Sequence, residues 1–305
     1  MVNQVRAAAT CGLRCNHPRV APLESGILLT ATGNAGSNTI DSISILGSGW
    51  LGLPLAERFV ARGYGVKTST TSASRLQILR ALPSEPFLID IGSPDDAIDA
   101  FLQSTTLIVN ITSKDIDAFR WLVGRIEDSD IEAVLFVSST SVYPADSGRV
   151  SEADGAESPD HPLLIIENLF RQSEKFRTTV VRFGGLIGAG RHPGRFFRGN
   201  KTLRDPDACV NLIHLDDCID IVYGIVTGKF WGETLNACAD THPTKREFYT
   251  QAARLAGVPE PAFEDDGERS FKRVDNSKLK QVLGYRFRHP DLMAVRFDET
   301  GGHNT

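Results

Sequence analysis

Short apolar runs alternate with amphipathic stretches from Ser42 onward. Runs such as LFVSS and TVVRF are almost continuously apolar, which is typical of parallel strands that helices cover on both faces. The pattern predicts six strands, over Ser42–Leu46, Gly65–Thr70, Pro86–Asp90, Thr106–Asn110, Ala133–Ser138 and Thr178–Phe183.

Stretches with helical spacing lie between these strands. In the first stretch, Leu51, Leu55, Ala56 and Phe59 fall on one face. Pro54 falls in its first turn, where the missing N–H of proline costs little. The predicted helices are Trp50–Arg62, Ser74–Leu82, Pro94–Leu102, Ile116–Glu127 and Pro162–Lys175.

This alternation predicts an α/β fold with a doubly wound parallel sheet, that is, a Rossmann domain over residues 41–188. The alternation of predicted strands and helices becomes less regular after Phe183. Residues 189–305 are therefore predicted to form mostly a smaller carboxyl-terminal substrate-binding domain, with a return of some segments to the sheet left open. Ala145–His161 is acidic and rich in Ser, Pro and Gly, which predicts a long surface loop.

Residues 1–40 have a different character. They hold three arginines, Arg6, Arg14 and Arg19, against the single acid Glu24, and they show no hydrophobic periodicity. Three interpretations stay open: a flexible tail, an organellar transit peptide, and an upstream extension from a start site assigned too early. No apolar segment of the usual length follows the first arginines, so a secretory signal is not predicted.

Composition excludes several classes of function. The formal net charge of −5 argues against general nucleic-acid binding. No run of about 18 apolar residues is present, so no membrane-spanning helix is predicted. Five cysteines spread over 305 residues favour a reducing compartment and a cytoplasmic location, with import as the alternative if residues 1–40 are a transit peptide. Cys11, Cys15 and His17 lack a fourth ligand nearby, so no metal site is predicted.

The first predicted strand leads directly into a G-x-G-x-x-G turn at Gly47–Gly52. In such a turn between strand and helix, the first glycine permits a tight bend. The second lets the backbone approach a pyrophosphate, and the third lets the helix pack closely on the strand. The free N–H groups of the helix start then face the phosphates. We therefore predict a dinucleotide site here.

The residues after the second strand indicate which dinucleotide binds. An Asp or Glu about 20 residues past the first glycine holds the ribose 2′-hydroxyl of NAD. Val66–Ser72 reads VKTSTTS and has no acid, and Arg75 follows shortly after. Hydroxyls and cations suit a 2′-phosphate, so NADP is preferred over NAD.

Polar residues at the ends of later strands should face the same ligand, because ligands of open α/β sheets bind beyond the carboxyl ends of the strands. The predicted cofactor-binding residues are Gly47, Ser48, Gly49, Trp50, Leu51, Gly52, Thr70, Thr71, Arg75, Asp90, Ile91, Asn110 and Ser138.

Four segments, GSGWLGLPLA, FVSSTSVYP, VVRFGGLIGAGRHPG and NLIHLDD, occur in this order. Together they resemble the extended branch of the short-chain dehydrogenase/reductase superfamily, which includes nucleotide-sugar epimerases and dehydratases. GWLGLPLA with the following TSTTS is similar to an atypical subgroup of that branch. The resemblance covers roughly residues 42–290.

The resemblance implies roles for particular residues. Asp90 would lie near the adenine, and Ser139 matches the catalytic serine or threonine that hydrogen-bonds the reacting oxygen. His214 and Asp217 match an IHxDD element that organises the base of the substrate cleft, and His214 is predicted to contact the substrate.

The chain departs from the family at the general acid/base. Alignment on Glu167 places Pro159 and Leu163 where the family has the Tyr and Lys of Tyr-x-x-x-Lys. Neither side chain can transfer a proton. Tyr143 is predicted as the catalytic substitute, and His161 and His214 are the other candidates.

A basic loop follows the GAG turn and contains Arg191, His192, Arg195, Arg198, Lys201 and Arg204 beside Phe196 and Phe197. Arginine forks suit phosphate or carboxylate, so Arg191 is predicted to bind an anionic small-molecule substrate. The leading hypothesis is an NAD(P)-dependent oxidoreductase or epimerase-like enzyme for a carbonyl, alcohol or nucleotide-sugar substrate. The alternative is a non-catalytic NAD(P)-binding sensor, and a homodimer is left open.

Overall fold

A computed structural model describes residues 41–93, 95–196, 202–264 and 270–297. The predicted tail over residues 1–40, Pro94 at the start of one predicted helix, and Phe197, Arg198 and Lys201 of the basic loop lie outside these ranges.

The strands of the described residues are β1 Ser42–Leu46, β2 Gly65–Thr70, β3 Glu85–Leu88, β4 Thr106–Val109, β5 Ala133–Ser139, β6 Gly148–Val150, β7 Arg177–Phe183, β8 Gly185–Ile187, β9 Thr202–Arg204, β10 Leu212–His214, β11 Thr234–Ala237, β12 Ala262–Glu264 and β13 Lys272–Val274. The α-helices are α1 Gly52–Val60, α2 Leu76–Arg80, α3 Ala97–Phe101, α4 Ile116–Glu127, α5 Pro162–Arg171, α6 Leu215–Gly228, α7 Lys245–Leu255 and α8 Ser277–Leu283.

The main sheet confirms the predicted doubly wound fold. Seven parallel strands are ordered β11-β7-β5-β4-β1-β2-β3. β1 lies in the interior of the sheet. β2 and β3 extend the sheet on one side of β1, and β4, β5, β7 and β11 extend it on the other side, so the strand order reverses between β1 and β4. A crevice at such a reversal is where this fold class binds ligands. The edge strand β11 comes from the carboxyl-terminal third of the chain and pairs with β7.

Two apolar layers cover the sheet because successive side chains of each strand point to opposite faces. On β5, Leu135 packs into the layer with α1, α6 and α8, whereas Val134 and Phe136 pack into the layer with α3, α4 and α5. The predicted face of α1 is buried: Leu55, Ala56 and Phe59 are 0% exposed. The central strands of the sheet therefore carry apolar side chains on both faces.

Helix starts follow local capping chemistry. The Asp115 side chain accepts the N–H groups of Asp117 and Ala118 at the start of α4. Thr244 and Glu247 form a reciprocal capping box at the start of α7. These contacts satisfy N–H groups that have no partner within the helix.

The segment Ala145–His161 corrects one prediction, because it is more than a surface loop. It contains β6, which pairs in parallel with β13 from the far end of the chain. Glu157 reaches inward and forms an ion pair with the buried Arg182. The acidic, Gly-rich composition hid a strand whose partner lies far away in sequence.

Three two-stranded parallel sheets, β8–β10, β9–β12 and β6–β13, are separate from the main sheet.

Among the described residues, no helix is both long enough and apolar enough to cross a membrane.

Candidate functional site

The glycine turn after β1 is held by backbone and side-chain contacts from neighbouring strands. Gly47 has a φ of +94°, which favours glycine, and its N–H donates to Ser69 Oγ at 2.9 Å. The Ser48 N–H donates to the Ser69 carbonyl at 2.8 Å. Asn110 Nδ2 donates to the Gly47 carbonyl at 3.0 Å. The turn is therefore clamped from β2 on one side and from the end of β4 on the other.

Each glycine of the motif occupies a different kind of space. A Cβ added to Gly47 would lie 2.4 Å from the Asn110 carbonyl oxygen, and one added to Gly52 would lie 2.1 Å from the Gly47 carbonyl oxygen. Nothing lies within 4 Å of a Cβ added to Gly49. The first and third glycines are thus needed for packing, whereas the second borders open space.

That open space belongs to a cleft of about 570 Å³ at the carboxyl edge of the sheet. Twelve residues predicted from the sequence to bind the cofactor or the substrate line it: Gly47, Ser48, Gly49, Trp50, Leu51, Thr70, Thr71, Arg75, Asp90, Ile91, Asn110 and Arg191. The cleft is also lined by residues that sequence reasoning missed: Leu46, Ser69, Ser72, Ile89, Gly92, Ile111, Thr112, Ser113 and Leu186. The hydroxyl run after Lys67 was the available signal for Ser69 and Ser72.

Polar groups in this cleft fit a dinucleotide. The Ser48 Oγ is buried and has no hydrogen-bond partner among the described residues. No side chain caps α1 at Leu51, so the helix start faces the cleft without a protein anion. These are the conditions under which a helix N-terminus accepts phosphate.

The cleft is lined by Thr70, Thr71 and Ser72, which belong to the segment Val66–Ser72 that contains no acidic residue. Thr70 Oγ1 accepts the Ser72 N–H at 3.1 Å and shapes the turn. The exposed Arg75 guanidinium lies 3.5 Å from the Ser48 carbonyl. Asp90, at the end of β3, accepts the Gly92 N–H with its carboxylate, 3.0 Å away.

A tryptophan in the glycine motif contacts the segment that follows β8. Trp50 Nε1 donates to the Ala189 carbonyl at 2.5 Å, and the Arg191 guanidinium stacks 4.5 Å above the Trp50 ring centroid. Stacking of this kind holds a guanidinium without neutralising its charge. Arg191 therefore presents a positive charge on the wall of the cleft.

Two serines end β5, and they differ in their contacts. Ser138 Oγ donates to Glu167 Oε1 at 2.5 Å and is buried, so it does not line the cleft. Ser139 Oγ accepts the Ser141 N–H at 3.1 Å. The Ser139 hydroxyl proton remains available to donate to a ligand.

Tyr143, predicted as catalytic, lies in a buried network away from the cleft lining. Its hydroxyl contacts Asn236 Oδ1 at 3.1 Å and accepts from Arg182 Nη1 at 2.7 Å. Burial raises the pKa of Tyr143, against the opposing effect of the Arg182 charge. Arg182 is held in turn by Glu167, with Arg182 Nη2 2.6 Å from Glu167 Oε2. The tyrosine supports the core beneath β5 and β7.

Lys272 and His161 contact the segments that follow β5. Lys272 of β13 donates to the Thr140 and Tyr143 carbonyls at 3.2 and 2.9 Å. Thr140 directly follows Ser139 in the chain. Burial lowers the pKa of Lys272. His161 caps α5 by accepting the Leu163 N–H on Nδ1. Burial and then the charge of Lys114 lower the pKa of His161, with a smaller effect from Lys272.

His214, predicted to contact substrate, is the N-cap residue of α6 and lies outside the cleft lining. Its ring stacks on His289 with centroids 3.9 Å apart. Asp217 is 0% exposed and accepts the Tyr285 hydroxyl at 2.7 Å. The IHxDD element therefore binds the carboxyl-terminal segment of the chain.

No family model matches the chain. Protein YeeZ of Escherichia coli K12 is 32% identical to it over 271 residues, which is 83% of this chain and 98% of YeeZ. YeeZ of Escherichia coli O157:H7 matches to the same extent.

Solved structures show the same fold at lower identity. A conserved protein of unknown function from Silicibacter pomeroyi has a TM-score of 0.69 at 22% identity, over 83% of this chain and 95% of that chain. UDP-glucuronic acid 4-epimerase from Bacillus cereus, solved with UDP-glucuronic acid and NAD, has a TM-score of 0.68 at 18% identity, over 83% and 95% of the two chains. A short-chain dehydrogenase/reductase superfamily protein from Agrobacterium tumefaciens with bound NAD has a TM-score of 0.68 at 17% identity, over 81% and 92%.

Proposed function

The chain belongs to the family of Escherichia coli protein YeeZ and has the extended short-chain dehydrogenase/reductase fold, and on that premise we propose that it is an NAD(P)-dependent oxidoreductase or epimerase-like enzyme for a small anionic substrate. The observation that carries this proposal is the cleft over the glycine turn. It combines a clamped glycine backbone, an unpartnered Ser48 hydroxyl and the Arg191 charge. When bound, a nicotinamide cofactor supplies the hydride acceptor or donor.

Binding of the dinucleotide is assigned to the turn and its clamps. Gly47, Ser48 and Gly49 would hold the pyrophosphate, and Arg191, stacked on Trp50 in the cleft lining, would add a positive charge. Asp90 and Ile91, at the end of β3, would contact the adenine side. The Bacillus cereus and Agrobacterium tumefaciens proteins of the same fold were solved with NAD, which supports this assignment.

The 2′-phosphate of NADP is the feature that Arg75 would recognise. Arg75 lines the cleft together with Thr70 and Thr71 of the carboxyl end of β2, where NAD-specific members of this fold class place an acid. A guanidinium hydrogen bond to a charged group contributes about 1.5–3 kcal/mol. The preference for NADPH over NADH should therefore be on the order of 10- to 100-fold in Kd.

Titration of protein fluorescence with NADPH and NADH tests the cofactor proposal. Arg75→Ala should weaken NADPH by the same 10- to 100-fold while leaving NADH unchanged, because NADH has no 2′-phosphate. Arg80→Ala, which removes the arginine at the end of α2 and outside the cleft lining, is the matched control. Tighter binding of NADH than NADPH by the wild-type protein would overturn the preference.

We assign proton transfer to Lys272 and binding of the reacting oxygen to Ser139. Both residues lie outside the lining of the cleft, and Lys272 contacts the carbonyl of Thr140, which follows Ser139. In the reducing direction, the Lys272 ammonium would donate a proton to the oxygen of the carbonyl that is reduced. Two of the three N–H groups of Lys272 donate to backbone carbonyls, which leaves one for this step. Burial lowers the pKa of Lys272, which makes the ammonium a stronger proton donor than an exposed lysine.

The charges around this position support an anionic substrate. The charges of Lys114 and Lys272 both lower the pKa of His161 after the larger effect of burial, so both lysines lie near this imidazole. His161 Nδ1 accepts a backbone N–H, so the neutral imidazole carries its proton on Nε2 and offers a further hydrogen-bond donor. A carboxylate or phosphate on the substrate would balance the two lysines.

A turnover screen with NADPH and small carbonyl acids, sugar phosphates and nucleotide sugars tests the enzymatic proposal. For any substrate found, Lys272→Met should lower kcat by about 10²- to 10⁴-fold, the usual contribution of general acid–base catalysis. The Kd for NADPH should stay unchanged. Lys175→Met, an exposed lysine distant from β5 in the chain, is the control. Wild-type turnover by Lys272→Met would refute the assignment of Lys272.

A second candidate function is a non-catalytic NAD(P)H-binding sensor. Pro159 and Leu163 occupy the positions of the usual tyrosine and lysine, and this observation favours it. A sensor would bind NADPH and NADP with clearly different affinities and would give no turnover in the screen. An enzyme would give turnover that Ser139→Ala lowers.

A further inference from the structure

The side chain of Asn211 binds the backbone of β13 in the way that a neighbouring strand would. Asn211 Nδ2 donates to the Lys272 carbonyl at 2.8 Å, and Asn211 Oδ1 accepts the Val274 N–H at 2.9 Å. A paired strand would offer the same two groups, one N–H donor and one carbonyl acceptor. The amide of a single side chain therefore takes the place of a strand on this edge of β13.

The opposite edge of β13 is occupied by β6. The Gly148 N–H donates to the Phe271 carbonyl at 2.7 Å. The Asp275 N–H donates to the Val150 carbonyl at 2.8 Å. In the part of the chain that the structure describes, β6 is the only strand that pairs with β13. The position of β13 therefore depends on β6 on one edge and on the Asn211 amide on the other.

The backbone of Asn211 has little freedom to move. Its carbonyl accepts the Gly185 N–H at 2.8 Å, and a Cβ added to Gly184 would lie 2.6 Å from the same oxygen. The Gly184 N–H in turn donates to the Ala237 carbonyl of β11 at 2.9 Å. Asn211 is thus anchored to the main sheet through the segment that follows β7.

Lys272 is held at both of its ends. Its carbonyl accepts from Asn211, while its ammonium donates to the carbonyls of Thr140 and Tyr143. A lysine ammonium is carried on a flexible stem of four carbons, so it keeps a defined place only where the backbone that bears it is also fixed. The Asn211 amide supplies that constraint at the residue that needs it.

We propose that Asn211 is a positioning residue that holds Lys272 at the end of β5. The inference rests on the proposed function, in which Lys272 gives a proton to the reacting oxygen. Asn211 does not line the cleft, so it acts through Lys272 and touches neither the cofactor nor the reacting atoms. A displacement of about 1 Å in a catalytic group can cost on the order of 10²-fold in rate, and the amide prevents such a displacement.

A purely structural role for Asn211 is the alternative, because the Val274 N–H that it binds is buried and would be costly to leave unpaired. Asn276, which follows β13, provides the matched comparison. Its side-chain amide donates to the Cys238 carbonyl and to Asp240 Oδ1, both at 2.8 Å. Asn276→Ala therefore also removes an asparagine that makes two hydrogen bonds, but neither of them involves Lys272.

Acetylation of the cofactor-free, full-length protein with acetic anhydride, measured by peptide mass spectrometry, tests the inference without a substrate. Asn211→Ala should raise the rate of modification of Lys272 by about 5- to 30-fold, because β13 loses both hydrogen bonds on one edge and opens more often. Asn276→Ala should leave the rate at Lys272 unchanged, and the exposed Lys175 should react equally in all proteins. No rise in Asn211→Ala, or an equal rise in Asn276→Ala, would overturn the inference.

Asn211→Leu covers the case in which Asn211→Ala does not fold. Leucine fills a similar volume without a charge, but it can neither donate to the Lys272 carbonyl nor accept the Val274 N–H. Lys272 should again react faster than in the wild type. A wild-type rate of modification in this variant would contradict the role of the amide.

Turnover separates positioning from stability. For any substrate found in the screen, Asn211→Ala should lower kcat by about 10- to 100-fold and leave the Kd for NADPH unchanged. In a Lys272→Met background the same substitution should cause no further loss, because Asn211 acts through Lys272. Additive losses would overturn the inference. Absence of wild-type turnover would instead count against the proposed function, while the acetylation rates alone decide whether Asn211 holds Lys272.

Discussion

Alanine at the second and third glycines of the motif should have opposite effects. Gly49→Ala adds a methyl group to open space, so the folded protein should tolerate it. Gly52→Ala places a methyl group 2.1 Å from the Gly47 carbonyl oxygen and 3.0 Å from its carbonyl carbon. Gly47 cannot move away, because its other side lies against the Asn110 carbonyl.

The magnitudes follow from these distances. A carbon and an oxygen need more than 3 Å, so Gly52→Ala forces a backbone shift of about 1 Å, and overpacking of this kind costs roughly 1–3 kcal/mol. For a chain of this size we expect Tm to fall by about 2–4 °C for each kcal/mol. Gly49→Ala should leave Tm within a degree or two, but it should weaken NADPH at least about tenfold, or 1.4 kcal/mol, since the methyl group occupies the approach of the pyrophosphate.

Thermal unfolding without cofactor and a fluorescence titration with NADPH separate the two effects. The pair of variants differs only in the position of one methyl group, so each is the control of the other. Wild-type stability in Gly52→Ala would show that the turn is not packed as the structure has it. Wild-type affinity in Gly49→Ala would refute the close approach of a phosphate to the second glycine.

Three further outcomes follow from the structure. Glu167→Gln should cost roughly 3–5 kcal/mol of unfolding free energy in urea titrations, because it breaks a buried ion pair with Arg182, whereas stability equal to wild type would contradict that role. Burial opposes the hydrogen bonds from Ser277 and Arg149, which bring the pKa of Asp275 to about 2. A carboxylate whose pKa is lower in the folded than in the unfolded protein stabilises the fold at pH values above the unfolded pKa, and this stabilisation is lost as pH falls from about 4 to 2. The free energy of unfolding of Asp275→Asn should therefore fall less steeply than that of the wild type over this pH range. Gly124→Ala, in α4 with no atom within 4 Å of the new Cβ, should raise stability by up to about 1 kcal/mol, and a lower Tm would contradict the open space seen there.

The sheet could be predicted because its strands are buried on both faces. β1, β2 and α4 begin and end at the residues that the sequence predicts. The glycine turn could also be predicted from the sequence, since its backbone conformation restricts which residues can occupy it. These features depend on contacts that are local or repeat along the chain.

Other features needed the tertiary structure. β6 forms only because β13 lies beside it, and the acidic composition of its segment gives no sign of this pairing. Asn110 was expected as a cofactor contact, but its side chain also clamps Gly47 from the next strand.

The sequence by itself determined the class of fold and the place of the glycine turn. The tertiary structure alone decided what lies around those positions. Lys272 reaches the end of β5, and His289 meets Asp216, through contacts between segments far apart in the chain. Such pairings carry no local pattern, because a single lysine or histidine acquires its burial and its charged neighbours only when the sheet brings the segments together.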